Sequence, residues 1–204
     1  MQARFEIAES APGSRRYTIT VSLVHRGRLK MKLVRYGVAM SLDGFIAGPR
    51  GEYDWIVMDP DFDWKGLYGQ FDTLLMGRGT YNTMRERGMS PKGMGMNAFV
   101  VSTTLVPSEH PEVTIISRHV PQVIAALKAG TGPQPEKNIW LMGGAVLFRH
   151  LLDAGLVDAI DVAVVPVLLG SGVPLVPEGK RGNLKLAECK TQTGGVVMLK
   201  YNVV

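Results

Sequence analysis

From Leu33 onward the chain sets short apolar runs against stretches whose apolar residues fall at helical spacing. Leu33 to Met40 reads as a first strand, closed by the turn Ser41–Ala47. Over Asp61 to Gln70, Phe62, Trp64, Leu67, Tyr68 and Phe71 recur as one face of a helix. Asp72 ends that segment, and Thr73-Leu74-Leu75-Met76 is a buried run too short for a helix. Thr80 opens a short helix to about Arg87. Gly88 to Asn97, rich in glycine and holding Pro91, reads as a mobile loop. Ala98–Ser102 and Val113–Ile116 are strands. Pro121 at a first helical position opens Gln122–Ala129, which Gly130 closes. Thr131–Pro135 reads as a loop, Asn138–Met142 as a strand, Ala145–Ala154 as a helix ended by Gly155, and Ala159–Val165 as a strand. Leu184–Thr193 and Val196–Val203, joined at Gly194-Gly195, form a terminal antiparallel hairpin.

Strands alternating with helices and followed by a hairpin predict a three-layer α/β domain over residues 31–204, with a central mixed sheet. Residues 1–30 read differently: a turn-rich Ser10–Ser14 precedes the alternating Tyr17–Leu23, and disorder is the expectation there. Met31 directly precedes the first strong strand and is a candidate start. The opening residues lack the basic start, apolar stretch and small-residue cleavage site of a secretory signal.

Charge location narrows the function classes. The net charge is +5, and residues 1–32, with seven basic and two acidic side chains, account for all of it. The neutral body lacks the phosphate-neutralising face that nucleic-acid binding needs, so no nucleic-acid partner is expected. No apolar run is long enough to span a membrane, since Ala159–Gly170 is short and carries Asp161 and Pro166. The single cysteine, Cys189, can form neither an internal disulfide nor a zinc cage, and it fits a reducing cytoplasm.

Three segments carry candidate chemistry. Gly77-Arg78-Gly79-Thr80-Tyr81 follows a buried strand and opens a helix, where orphan N–H donors and the helix dipole favour an anion. Thr80 is suited to cap that helix or to bond a phosphate, and Arg78 can give a forked contact to a terminal phosphate. Gly143-Gly144-Ala145-Val146-Leu147 repeats the arrangement, its paired glycines leaving room for a ligand. It is not the six-residue Rossmann fingerprint, because the third glycine is absent. Ser102 and Thr103 end a further strand at the same sheet edge. Between Asp43 and Asp72 lie seven acids against two bases. One of these carboxylates, shielded by Trp55, Phe62 or Trp64, can hydrogen-bond a heterocycle's ring nitrogen or assist its protonation. Asp61 and Asp63 suit helix capping equally well. No Cys-x-x-Cys, His-Glu-x-x-His or Gly-x-Ser-x-Gly occurs, and His25, His110, His119 and His150 are scattered and read as surface or loop residues, so metal catalysis is not expected.

The segments SLDGFIA, DTLLMGRGTY, VVST, WLMGGAVL and VVPVLLGSGVPL, in this order from about Lys32 to Val203, resemble the dihydrofolate reductase-like superfamily. They are most similar to the C-terminal reductase domain of the bifunctional riboflavin-biosynthesis deaminase–reductase and to its stand-alone bacterial relatives. The resemblance implies a central mixed, mostly parallel sheet, NADPH as reductant, a homodimer, and activity like that of 5-amino-6-(5-phosphoribosylamino)uracil reductase on a pyrimidine- or pteridine-like substrate. By position, Gly77, Arg78, Gly79 and Thr80 would meet the cofactor's phosphates. Ser102 and Thr103 would lie near the adenosine 2′-phosphate, and Gly143, Gly144, Ala145, Val146 and Leu147 near the pyrophosphate and nicotinamide. Ala39 and Ile46 would line the nicotinamide pocket, with Asp43, Asp61 and Trp55 on the substrate side as carboxylates and aromatic wall. The resemblance does not extend to the zinc-dependent deaminase half. Phe45 stands where members acting on the phosphoribosylamino-pyrimidine have lysine, which leaves open a dihydrofolate reductase-type activity or a non-catalytic nucleotide-binding module on the same fold.

Overall fold

The computed structural model describes residues 3–6, 18–21, 31–56, 59, 61–130 and 137–204. Near the start, Ala3–Glu6 (β1) and Thr18–Val21 (β2) pair antiparallel with each other. The expectation of disorder over residues 1–30 otherwise falls outside the described residues, as does the loop expected at Thr131–Pro135.

The body follows as Val34–Ser41 (β3), Phe45–Ala47 (β4), helix Trp64–Gly69 (α1), Phe71–Gly77 (β5), helix Arg78–Glu86 (α2), Asn97–Val101 (β6) and Thr114–Ile116 (β7). Helix Val120–Lys128 (α3), Asn138–Gly143 (β8), helix Ala145–Asp153 (α4), Ala159–Val165 (β9), Val173–Pro174 (β10), Leu184–Thr191 (β11) and Val197–Val203 (β12) complete it. One eight-stranded sheet runs β11-β12-β9-β3-β8-β5-β6-β7. Its pairs from β9 to β7 are parallel, and β12 joins antiparallel to β9 and β11. The mixed sheet and terminal hairpin are those expected of a dihydrofolate reductase-like fold.

Near-continuous apolar runs in β5, β6 and β8 reflect burial on both faces, the ordinary requirement of a parallel sheet covered by helices. On one face Tyr36, Leu75, Ile139, Leu141 and Val162 pack with Ile124 of α3 and Leu147, Phe148 and Leu151 of α4. Tyr36 stacks on Phe148 at 3.9 Å between ring centroids. On the other face Leu74, Met76, Val100 and Trp140 pack with Tyr81 and Met84 of α2, and with Leu67 and Tyr68 at α1. Ion pairs Lys32–Asp72 and Lys128–Asp158 join segments near the amino ends of β3, β5 and β9.

Several expectations shift by a few residues for identifiable reasons. Helix α2 opens at Arg78 with Gly77 as its cap, so Thr80 sits inside the first turn and does not cap it. Asp63, not Asp61, caps α1, accepting from the Gly66 N–H at 2.7 Å. The Gly88–Asn97 segment holds a 3₁₀ turn at Pro91–Met94 capped by Ser90, with Pro91 and Met96 buried against the core. Among the described residues no helix is long and apolar enough to cross a membrane.

Candidate active site

Parallel pairing places the carboxyl ends of β3, β8, β5 and β6 side by side along one sheet edge. Open α/β sheets bind ligands at that edge, because strand-to-helix turns there expose backbone N–H groups. Ser41–Phe45, Gly143–Gly144, Gly77–Thr80 and Ser102–Thr104 follow these strands in that order.

The β5 and β8 ends form a paired cradle. Gly77 caps α2 and Gly144 caps α4, and neither cap places a side-chain acceptor on the first-turn N–H groups. Two positive helix ends therefore converge on one spot, where charge and donor geometry favour an anion. A Cβ built on Gly77 would lie 3.5 Å from the Gly144 nitrogen and 4.0 Å from Leu147 Cβ, ordinary contacts for a side chain. The backbone at Gly77 (φ −81°, ψ 163°) and at Gly144 (φ −89°, ψ −178°) suits any residue. Neither glycine is thus demanded by the chain itself. Gly143 differs: its φ is +144°, a Cβ would sit 3.0 Å from Thr80 Oγ1, and its peptide bond to Gly144 is cis. In the first turn of α4, Ala145 and Leu147 are buried while Val146 is 78% exposed, its isopropyl group presented beside the cradle.

The β6 end forms the neighbouring wall. Ser102 Oγ accepts from the N–H groups of Thr104 and Leu105 at 3.2 and 3.1 Å, so this buried hydroxyl shapes its own loop. Thr103 is exposed beside it. Arg78 Nη1 donates to Thr104 Oγ1 at 2.6 Å, joining the α2 end to this loop.

On the other side of the row the β3–β4 turn is tied to the β9–β10 connection. Asp43 accepts from Ser41 Oγ at 2.6 Å and from the Leu169 and Gly170 N–H groups at 3.1 and 2.7 Å. The Ser41 hydroxyl and these two amides hold its carboxyl below the ordinary range against a smaller opposing effect of desolvation. The Leu42 N–H donates to Val167 O, the Leu175 N–H donates to Gly44 O, and β4 pairs with β10. Asp43 is thereby a clamp between two loops. Ile46 lies half-buried in β4. Val38 and Met40 pack into the α3–α4 core, so strand alternation turns Ala39 to the opposite face.

Trp55 and Asp61 lie on the β4–α1 connection. Trp55 is half-buried and donates its indole N–H to Glu52 O at 3.2 Å. Asp61 is exposed, and its N–H donates to Asp59 Oδ1 at 2.9 Å. The structure thus gathers Gly77–Thr80, Ser102–Thr103 and Gly143–Leu147 at one place, and sets Asp43 in an adjacent wall. One site-flanking feature escapes any reading by sequence spacing: His110, read as a surface or loop residue, lies on the β6–β7 connection but is buried beneath α2 against Tyr81. It lies 29 positions from its partner, with no motif linking the two.

Residues 32–198 match the family model of the RibD C-terminal domain. The chain is 34% identical over 186 residues to the protein YyaP of Bacillus subtilis (strain 168), spanning 85% of this chain and 96% of that one. A solved structure from Shewanella sp. PV-4, whose name assigns it to riboflavin biosynthesis, superposes with a TM-score of 0.71 and 26% identity, covering 85% of this chain and 99% of its own. The diaminohydroxyphosphoribosylaminopyrimidine deaminase/5-amino-6-(5-phosphoribosylamino)uracil reductase of Thermotoga maritima shares the fold, with a TM-score of 0.62 and 16% identity, over 86% of this chain and 57% of that one.

Proposed function

Since this chain belongs to the RibD C-terminal domain family, we propose that it is an NADPH-dependent oxidoreductase that reduces a pyrimidine- or pteridine-like heterocycle. The observation that carries this reading is the cradle of two glycine-capped helix ends, where the chain leaves out Cβ atoms that its own packing would accept. A polyphosphate uses such space, because its oxygens must approach the N–H groups closely. The nicotinamide, when bound, supplies the hydride.

The chain's own residues bind and orient. Gly77, Gly79 and Thr80 offer backbone and hydroxyl donors to a pyrophosphate. Arg78 and Thr103 would meet an adenosine 2′-phosphate, to which a guanidinium gives charge-assisted bonds. Val146 offers an apolar surface for a flat ring, with Ala39 and Ile46 opposite. Asp43 positions the substrate-side loops through its three bonds, while Asp61 is the exposed carboxylate proposed to meet a ring nitrogen, with Trp55 as the aromatic wall. A homodimer belongs to the same proposal, supported by the exposed terminal strand β11, where Leu184 and Leu186 are 45% and 52% exposed. A cytoplasmic setting accords with a single, unpaired cysteine.

Titration of NADPH and NADH against wild type and Arg78→Ala tests the assignment. Wild type should prefer NADPH, and the variant should lose about tenfold to a hundredfold of that preference, the worth of a charge-assisted hydrogen bond. Equal preference in both proteins would remove the cofactor assignment. NADPH oxidation over a panel of pyrimidines and pteridines tests the reaction. Phe45 and the structural engagement of Asp43 favour one second reading, a nucleotide-binding module without catalysis, which predicts cofactor binding with no turnover of any panel member.

A further inference from the structure

Outside the cradle, a polar network with a buried tyrosine and histidine and an exposed glutamate joins α2 to the β6–β7 connection. Tyr81 has no exposed surface and His110 is 5% exposed. The Tyr81 hydroxyl lies 3.0 Å from His110 Nδ1 and also bonds the Glu112 carboxylate. A carboxylate only accepts, so the tyrosine proton goes to Glu112 and His110 donates from Nδ1. The two rings meet edge to face at 5.4 Å, and the Arg85 guanidinium lies 5.6 Å from the Tyr81 ring centre. Burial, reinforced by Glu112, pushes the Tyr81 hydroxyl up to about 12, so it remains a donor at neutral pH. Desolvation acts to raise the Glu112 carboxyl, but the Tyr81 hydroxyl, its own backbone N–H, His110 and Arg85 outweigh it and leave the carboxyl lowered.

The network's place gives it a consequence. Tyr81 directly follows Thr80 in the first turn of α2, the helix whose amino end forms half of the cradle. His110 and Glu112 lie on the connection that begins at Ser102–Thr104, the adjacent wall. The two walls meet again at the rim through Arg78 and Thr104. Two hydrogen bonds on a buried tyrosine hydroxyl specify one spacing, where an apolar contact would allow sliding.

We infer that Tyr81, held by His110 and Glu112, is a positioning residue that sets the spacing between the α2 amino end and the Ser102–Thr104 wall, and with it the affinity for the phosphate-bearing adenosine end of the dinucleotide. This rests on the cofactor reading above. It assigns the network no part in the reductive step.

Three measurements on wild type, Tyr81→Phe and Glu112→Gln test it: the Kd for NADPH, the Kd for the fragment 2′,5′-ADP, and kcat at saturating NADPH. Loss of both hydrogen bonds on the Tyr81 hydroxyl corresponds to about a tenfold to hundredfold change in an equilibrium. Tyr81→Phe should weaken NADPH and 2′,5′-ADP by that same factor while kcat stays within about twofold. Glu112→Gln, at the more accessible end of the network, should move both constants in the same direction by less, and it serves if Tyr81→Phe does not fold. Combined with Arg78→Ala, the loss should fall short of the product of the single losses, because both act on one spacing. A lower melting temperature with unchanged Kd values would make the network merely structural and overturn the inference. A fall in kcat with unchanged Kd would do the same. Wild type that binds NADPH while both variants match it refutes this inference alone; wild type that binds no NADPH refutes the functional reading and this inference with it.

Discussion

Gly77→Ala separates a glycine kept for the chain from a glycine kept for a ligand. In the folded chain the residue has φ −81° and ψ 163°, open to alanine, and the added Cβ would meet the Gly144 nitrogen at 3.5 Å and Leu147 Cβ at 4.0 Å, so nothing must move. Two stability effects oppose each other. Removing a glycine narrows the unfolded ensemble, worth about 0.4–1 kcal/mol in favour of the variant. Alanine is a poorer N-cap than glycine by about the same amount. The sum lies within about 1 kcal/mol of zero, a shift of no more than about 4 °C in Tm for a chain of this size. Cofactor binding carries no such cancellation. A methyl group between the two helix ends holds a phosphate off the first-turn N–H groups, and each charge-assisted bond lost is worth about 1.5–3 kcal/mol, or roughly tenfold to a hundredfold in Kd. Calorimetric Tm and NADPH titration on one preparation read both quantities. Gly143→Ala is the control: with φ at +144° and Thr80 Oγ1 3.0 Å from the new atom, it should cost about 1–3 kcal/mol in stability whatever binds. An unchanged Kd in Gly77→Ala, or a Tm drop matching that of Gly143→Ala, would refute the reasoning.

Two further outcomes follow from the substrate side and the sheet edge. Asp43 has a lowered pKa in the folded chain, so its clamp is present above the ordinary carboxylate value of 3.8 and is lost as pH falls through the lower folded value. Hydrogen exchange at the Leu169 and Gly170 amides, corrected for intrinsic rates, should show protection disappearing over that acid window in wild type. In Asp43→Ala the same amides should lack it at every pH, and equal protection in both proteins would dismiss the clamp. For β11, Leu186→Lys should convert a sedimenting dimer to monomer without loss of fold, and a wild type that is monomeric at high concentration ends the dimer proposal.

The sheet was legible because strand burial on two faces leaves a mark that needs no alignment. The runs Leu74–Met76 and Ile139–Met142 are apolar throughout, and both lie in central parallel strands. The glycine turns after them were legible for the same reason: a strand that must hand over to a helix shows where its N–H groups emerge. What sequence spacing could not show was which polar side chains meet across the chain. Asp43 reads as a candidate acid, yet its partners Leu169 and Gly170 stand 126 and 127 positions away. Their contribution is backbone N–H, which every residue but proline carries. His110 reads as a loop histidine, and only the packing of α2 over the β6–β7 connection buries it. The start of α2 two residues before Thr80 was not legible, because its cap, Gly77, carries no side chain to announce it.

The two walls of the site are built by different means, and this bears on what each can vary. The cradle relies on backbone groups at two helix ends, together with the spacing between them. The Asp43 wall is a cluster of loops joined by a carboxylate, two backbone bonds and the short β4–β10 pair. It is packed closely enough that Gly172, with φ +154°, brings its α-carbon against the Ala47 carbonyl, where a Cβ would lie 2.1 Å from that oxygen. Such a unit holds its shape while the residue at its tip changes, provided Asp43 and Gly172 stay. Phe45 sits in that unit and makes none of the clamp's side-chain bonds; its N–H donates to Ser41 Oγ, which any residue but proline at this position would do. The choice of phenylalanine over lysine there alters the charge presented to a substrate while leaving the clamp and the cradle intact. Under the function proposed above, substrate class and cofactor class would be set by separable parts of this chain, and a change at position 45 should alter substrate choice while leaving the NADPH Kd unchanged.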